Sequence, residues 1–307
     1  GTQLAYVAVR GSTQQIFLRA MDGFEAKPVA GTEGATGVFF SPDGQWLGFW
    51  SGSRLKKISV RGGAAVTLSE AGVLRGASWG GAGTIVFAPS SASPLQIVPD
   101  GGGTPQPVTH YEKGESSHRW PEFLPGGKAV LFASGPVGTN GQVFAQVVGA
   151  NERHSLAQGA MQPRYAPSGH LLYMQTGTLM AAPFDAFRLA VTGAAVPVVE
   201  NVLQSGTTGG AQYSVSATGS LVYVSGGIQG SQRKLTLVSR AGKERLLPAT
   251  VHNYSRPKFS PDGTKIAVGF YDSGKVDVLS ANDLSHLYSP DTSSITVSNL
   301  ATVSWSI

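Results

Sequence analysis

Two stretches of the chain carry nearly the same letters: FFSPDGQWLGFWS at 39–51 and KFSPDGTKIAVGFYDS at 258–273. In both, an aromatic residue precedes Ser-Pro-Asp-Gly and an apolar run follows. Pro presets φ and Gly accepts positive φ, so the four letters read as a tight turn joining two strands. Aligning the chain on this turn reveals weaker copies: GGAG from Gly80, LPGG from Leu124, APSG from Ala166 and SATG from Ser216. Their second positions fall at 42, 81, 125, 167, 217 and 261, so the spacings are 39, 44, 42, 50 and 44. Two residues before each stand Phe40, Trp79, Phe123, Tyr165, Val215 and Phe259.

After each turn comes an apolar run, then an alternating one such as RLKKISVRGG or QVFAQVVGAN, then a short fourth run. Period-2 alternation with Gly, Asp and Pro at the joints reads as four antiparallel strands per repeat. Four-stranded sheets repeated every 40 to 50 residues describe a β-propeller. The chain opens on a second strand, QLAYVAV, and closes on LATVSWSI, with Trp305 in the slot of Phe40 and Trp79. The expectation is one all-β domain over 1–307, a seven-bladed propeller whose last strand completes the first blade and leaves no free edge. Its blades fall at 1–34 with 300–307, 35–73, 74–115, 116–159, 160–205, 206–250 and 251–299; six blades with a tail is the alternative.

Composition agrees. Of 307 residues 41% are apolar and only 13% charged, while Gly (41) and Pro (18) are abundant, which favours strands and turns over amphipathic helices. Cysteine is absent, excluding disulfides, thiolate catalysis and Cys-ligated zinc. A net charge of +5 without a Lys/Arg run longer than two argues for a mildly basic surface and against a nucleic-acid partner. No 18-residue apolar window and no signal-peptide pattern occur, so no membrane insertion is expected. The opening in mid-pattern suggests a processed chain.

With those residues in view, FSPDGQWLGFWS, FSPDGTKIAVGFYDSG and YAPSGHLLYMQTGTLMAAPFDAFRLAVTG resemble the WD-like repeats of the TolB propeller family. They resemble more closely the propeller found C-terminal to bacterial eukaryotic-like serine/threonine kinases. RGASWGGAGTIVFAP, SSHRWPEFLPGGKAVLFAS and YSVSATGSLVYVSG are similar to blades of that group. The resemblance covers the whole chain and implies an extracytoplasmic sensing or partner-binding module. No kinase segment is present: the chain has no glycine-rich loop with its Lys, no His-Arg-Asp loop and no Asp-Phe-Gly.

Propellers bind ligands at the mouth of the central channel, where the innermost strands begin. Five places before the turn's second position stand Gly37, Gly76, Trp120, Gln162, Gln212, Arg256 and, on the closing strand, Thr302. Three places before stand Phe39, Ser78, Glu122, Arg164, Ser214, Lys258 and Ser304. Strand alternation puts both sets on one polar phase. Arg164, Arg256 and Lys258, with Arg75 and Arg119 just upstream, outnumber the one carboxylate of this phase, Glu122. Converging cations favour an anionic group on a small ligand or a protein partner. The bland reading pairs them with backbone carbonyls and Glu122 between blades. Trp120 either stacks on a ligand or closes the channel.

The catalytic alternative is a hydrolase or lyase at the mouth, acting on a small anionic or ester substrate. GASWG at 76–80 matches the nucleophile-elbow pattern around Ser78, with His118 as base and Glu122 as orienting acid. An elbow needs strand, turn and helix, whereas the repeat puts Ser78 inside a strand. No cofactor is expected. A divalent metal on His118, Glu122 and His252 is the weak alternative, since no His-x-His or His-x-x-x-His pair occurs. A structural scaffold is the third reading, and a monomer the expected state.

Overall fold

The computed structural model describes residues 2–135, 140–229, 235–246, 254–270, 276–283 and 285–289. Among them every regular element is a strand, and no helix is long and apolar enough to cross a membrane. The chain divides into two compact units, Gly1–Ile228 and Gln229–Ile307.

The first unit opens with a three-stranded antiparallel sheet of β1 (Gln3–Arg10), β2 (Thr13–Ala20) and β3 (Ala26–Pro28). Three four-stranded meanders follow. The first is β4 (Val38–Phe40), β5 (Trp46–Ser51), β6 (Arg54–Ser59) and β7 (Val66–Glu70). The second is β8 (Ala77–Gly80), β9 (Thr84–Phe87), β10 (Gln96–Pro99) and β11 (Gln106–Pro107). The third is β12 (His118–Phe123), β13 (Ala129–Ser134), β14 (Gln142–Val147) and β15 (Arg153–Gln158). The next sheet holds β16 (Met161–Ala166), β17 (His170–Gln175) and β18 (Thr178–Asp185), with β19 (Ala190–Val191) and β20 (Val196–Val199) sharing the outer edge of β18. Beyond it, β21 (Gln204–Ser205) pairs with β24 (Ile228–Gln229), and β22 (Tyr213–Val215) with β23 (Leu221–Tyr223). In the second unit β25 (Thr236–Val238) pairs with β26 (Glu244–Leu246), and β27 (Tyr254–Phe259), β28 (Lys265–Phe270), β29 (Val276–Ser280) and β30 (His286–Tyr288) form a further meander.

The repeated letters build the same object twice. Ser41 Oγ donates to Asp43 Oδ1 at 2.5 Å and accepts the Trp46 N–H at 2.9 Å, while Asp43 Oδ1 accepts the Gln45 N–H at 3.0 Å. Ser260 Oγ donates to Asp262 Oδ1 at 2.5 Å and accepts the Lys265 N–H at 3.0 Å, while Asp262 Oδ1 accepts the Thr264 N–H at 3.0 Å. The turn's last glycine adopts positive φ in all six repeats: 68° at Gly44, 69° at Gly83, 69° at Gly127, 79° at Gly169, 86° at Gly219 and 69° at Gly263. Only glycine takes that conformation freely, which is why the letter persists while its neighbours drift.

In the first unit successive sheets pack face to face, so the middle strands are apolar on both sides. Ile85 and Phe87 of β9 join Leu55, Leu68 and Trp79 on one face, while Val86 joins Phe123, Val130 and Phe132 on the other. In β13, Leu131 turns the opposite way, onto Leu171, Tyr173 and Phe184 of the next sheet. This two-sided burial of a twisted meander is the packing of a β-propeller. The recurrent aromatic slot is buried at Trp79 and Phe123, half-buried at Phe40 and Tyr165, and 55% exposed at Phe259, so the repeat does not make every copy of the slot a core position. The proposed closing strand, with Thr302, Ser304 and Trp305, lies outside the described residues.

Candidate functional site

Half of the candidates sit on β12 and β16, and both strands break register at the same place. The pairing of β12 with β13 slips between Arg119 and Glu122, and that of β16 with β17 between Met161 and Arg164. β27 repeats the slip between Ser255 and Lys258. Each slip encloses a proline, Pro121, Pro163 or Pro257, which has no N–H to give the ladder, so a bulge forms around it. The bulge corrects the sequence reading. One extra residue separates the two polar positions, which therefore do not share a phase.

The residue before the proline turns to positive φ, 56° at Trp120 and 47° at Gln162; the corresponding place one sheet earlier is Gly76, at 101°. A side chain held there costs about 1–2 kcal/mol, so its surroundings must fix it. The Trp120 N–H donates to the Arg75 carbonyl at 2.7 Å, and the indole lies between two glycines. A methyl on Gly76 would stand 2.9 Å from Trp120 Cα, and one on Gly210 would stand 2.6 Å from its Cζ2. Gln162 donates through Nε2 to the Ala211 carbonyl at 2.9 Å and accepts the Ala211 N–H at 2.5 Å. Its own carbonyl accepts the Tyr213 hydroxyl.

Both contacts reach a turn at 204–211. Gln204, fully buried, accepts the Gly177 N–H at 2.9 Å and donates to the Gly209 carbonyl at 3.0 Å. The Ser205 N–H donates to the Gly210 carbonyl at 2.7 Å. Arg119, 1% exposed, donates through Nη1 to the Thr208 carbonyl at 3.1 Å and through Nη2 to the Gly135 carbonyl at 3.3 Å. Burial, and Arg75 beside it, lower its pKa to about 10. Arg75 is half-buried and donates to the Leu74 carbonyl at 3.1 Å; burial lowers its pKa as well.

Two candidates act as latches between sheets. Ser78 Oγ accepts the Phe123 N–H at 3.0 Å, and Glu122 Oε1 accepts the Tyr165 N–H at 2.7 Å. In each case the residue before one sheet's aromatic slot receives the N–H of the next sheet's slot. Glu122 Oε2 also pairs with Arg164 Nη1 at 2.9 Å. Burial pushes the Glu122 carboxyl up, against the pull of Arg164 and the Tyr165 N–H.

His118 has other partners than Glu122 and Ser78. It is 0% exposed and wedged between Tyr111 and Phe132, at ring centroid distances of 5.0 and 4.8 Å. Nδ1 lies 2.7 Å from Thr109 Oγ1, which already accepts the Leu95 N–H at 2.9 Å; Nε2 lies 3.2 Å from Glu115 Oε2. The arrangement suits a neutral ring that accepts from Thr109 and donates to Glu115. Burial lowers the His118 pKa, and Glu115 opposes that. Burial raises the Glu115 carboxyl, but the Glu112 N–H, Ser134 Oγ, Arg153 and His118 together hold it at about 2. Arg153, 7% exposed, donates to Glu115 at 2.9 Å, pairs with Glu112 at 2.9 Å and lies over the Phe144 ring at 4.8 Å.

The remaining candidates divide simply. Gln212 is exposed, with its N–H given to the Leu203 carbonyl at 2.8 Å. His252 and the side chains of Arg256 and Lys258 lie outside the described residues. Among the described residues no three His, Asp or Glu side chains group as a metal ion would need. The sequence reading missed Thr109, Glu115, Arg153 and Thr208. Glu115 stands one turn's length before His118, a weak signal; Thr208 lies 89 residues from Arg119 and leaves none.

The chain matches no family model and no curated protein. Solved structures do resemble it. A putative TolB from Agrobacterium tumefaciens superposes with a TM-score of 0.51 at 16% identity, over 89% of this chain and 85% of that one. A chain of a nidogen/laminin complex superposes with a TM-score of 0.50 at 12% identity, over 94% and 93%. At such identities the likeness is one of fold, and the fold is the β-propeller.

Proposed function

We propose that this chain is a non-enzymatic recognition module that binds a protein partner or small ligand, through an anionic group, on the face carrying Arg75, Arg119 and Trp120. The observation that carries this reading is the engagement of the acid-base candidates. His118 is enclosed with both ring nitrogens in contact with Thr109 and Glu115, and Glu122 and Ser78 hold backbone N–H groups of neighbouring sheets. A general base must reach a substrate proton, and these groups face protein. Half-buried Arg75 beside buried Arg119 supplies the positive field. Rigid sheets hold β12 and the segment that carries Arg75, so the donors themselves are in place before binding. The resemblance of the sequence to kinase-linked propellers and the structural likeness to a putative TolB support an extracytoplasmic setting, and the likeness to a chain of a nidogen/laminin complex supports a protein partner.

Thermal shift with acetate, phosphate, sulfate and acidic peptides tests the reading. At least one of them should stabilise wild type more than Arg75→Ala. Equal shifts in both proteins for every anion would overturn it.

A further inference from the structure

The turn at 205–210 lies on the donors a ligand would use. Arg119 Nη1 gives its N–H to the Thr208 carbonyl, a neutral acceptor at 3.1 Å. Gly210 lies against Cζ2 and Cη2 of the Trp120 indole, on the side of the benzo ring nearer Nε1. That Nε1 is enclosed by protein and has no hydrogen-bond partner, as does the buried hydroxyl of Ser117 at the head of the same strand. Arg75 is joined to Trp120 through its backbone carbonyl. One indole donor and one guanidinium therefore flank the 208–210 segment, with a second cation alongside.

We infer that a carboxylate docks on Arg119 and Trp120 by replacing the Thr208 carbonyl, while the 205–210 turn moves off. The inference rests on the recognition reading above and names its ligand chemistry. A guanidinium bonds a carboxylate more strongly than a neutral carbonyl, because the bond is charge-assisted and the planar fork matches two oxygens. One oxygen takes the Arg119 N–H that Thr208 now holds; the other satisfies the Trp120 N–H, an enclosed donor otherwise left without a partner. The negative charge also relieves the repulsion between Arg75 and Arg119. What moves is small: the tip is Ser-Gly-Thr-Thr-Gly-Gly, which gives up the bond from Gln204 to the Gly209 carbonyl, while Gln162 keeps its hold on Ala211 at the base. A planar monoanion suits this enclosed place better than phosphate, whose second charge costs more to desolvate.

Titration of ¹⁵N-labelled protein with acetate, N-acetylglutamate, and a short peptide with a free or amidated C-terminus tests the docking. The Trp120 indole resonance is assigned by its loss in Trp120→Phe, which keeps an aromatic ring at the position and removes the donor. The expected result is a saturable downfield shift of that resonance with the free carboxylates and none with the amide. Affinity in Trp120→Phe should fall about 10-fold, the value of one hydrogen bond. Gly210→Ala, which presses a methyl on the ring, should bind a few-fold tighter. Response to acetate and N-acetylglutamate points to a small carboxylate; response to the peptide alone points to a chain terminus. An unmoved indole signal, or equal affinity in Trp120→Phe, overturns the docking, and the Arg75→Ala thermal-shift comparison then judges the recognition reading by itself.

Discussion

Two glutamates of the third meander, seven residues apart, are treated in opposite ways. Glu115, on the loop before β12, receives a backbone N–H, a serine hydroxyl, a guanidinium and an imidazole, and its pKa falls to about 2. Glu122, on β12 itself, receives one backbone N–H and one arginine, and burial drives its pKa up. The difference is in donors set against burial. Where four donors converge, a buried carboxylate is held charged and clamps its loop. Where two do, the carboxylate serves as a latch between sheets, and its charge is costly.

The clamp should be the more expensive to break. Arg153→Met leaves Glu115 enclosed beside a neutral histidine, and removing one partner of a buried ion pair costs about 3–5 kcal/mol. Urea unfolding at neutral pH should show that loss. An unchanged midpoint would mean that the cluster contributes nothing.

Acid sharpens the contrast, because the two signs differ. The folded-state pKa of Glu115 lies below its ordinary 4.5, so its stabilisation is full above that pH and is lost as the pH falls to about 2. Wild type's advantage over Glu115→Gln should therefore shrink by about 3 kcal/mol across that interval. For Glu122 the folded pKa is raised, so its contribution is greatest below its ordinary 4.5 and is lost as the pH rises through the folded value. The difference between wild type and Glu122→Gln should grow on acidification where the other shrinks. Parallel pH profiles would remove the distinction. His118, its pKa lowered by burial, adds an acid-side loss beginning near its ordinary 6.5, which Glu122→Gln shares with wild type and Glu115→Gln deepens by removing the carboxylate that opposes the shift.

Ser78→Ala is the gentlest change. It strips the acceptor from the Phe123 N–H at an inter-sheet contact and should cost about 1 kcal/mol. An unchanged urea midpoint would mean that this contact contributes nothing.

The fold was legible because its signals are local. Ser-Pro-Asp-Gly folds through bonds within five residues, and the sixfold glycine marks a conformation other residues avoid. The bulges were legible too, in Pro121, Pro163 and Pro257 at one register of the inner strand, where a proline cannot continue the ladder. Strand alternation alone overlooked them, and so placed Trp120 with Glu122, and Gln162 with Arg164. The partners of the site were hidden for a different reason. Arg153 reaches His118 and Glu115 from the far edge of the sheet, and Thr208 meets Arg119 across two sheets' length of chain. No period in the letters records such contacts.

The acid-base candidates His118, Glu122 and Ser78 are engaged in holding sheets and loops together. The most direct test assays wild type and His118→Ala with ester, phosphoester, sulfate-ester and glycoside substrates, with and without chelator, while urea unfolding of both is recorded. The expected result is no turnover above the blank in either protein and a His118→Ala variant less stable by about 2 kcal/mol, the loss of a buried, doubly bonded ring. Wild-type turnover abolished in a His118→Ala protein of undiminished stability would contradict it.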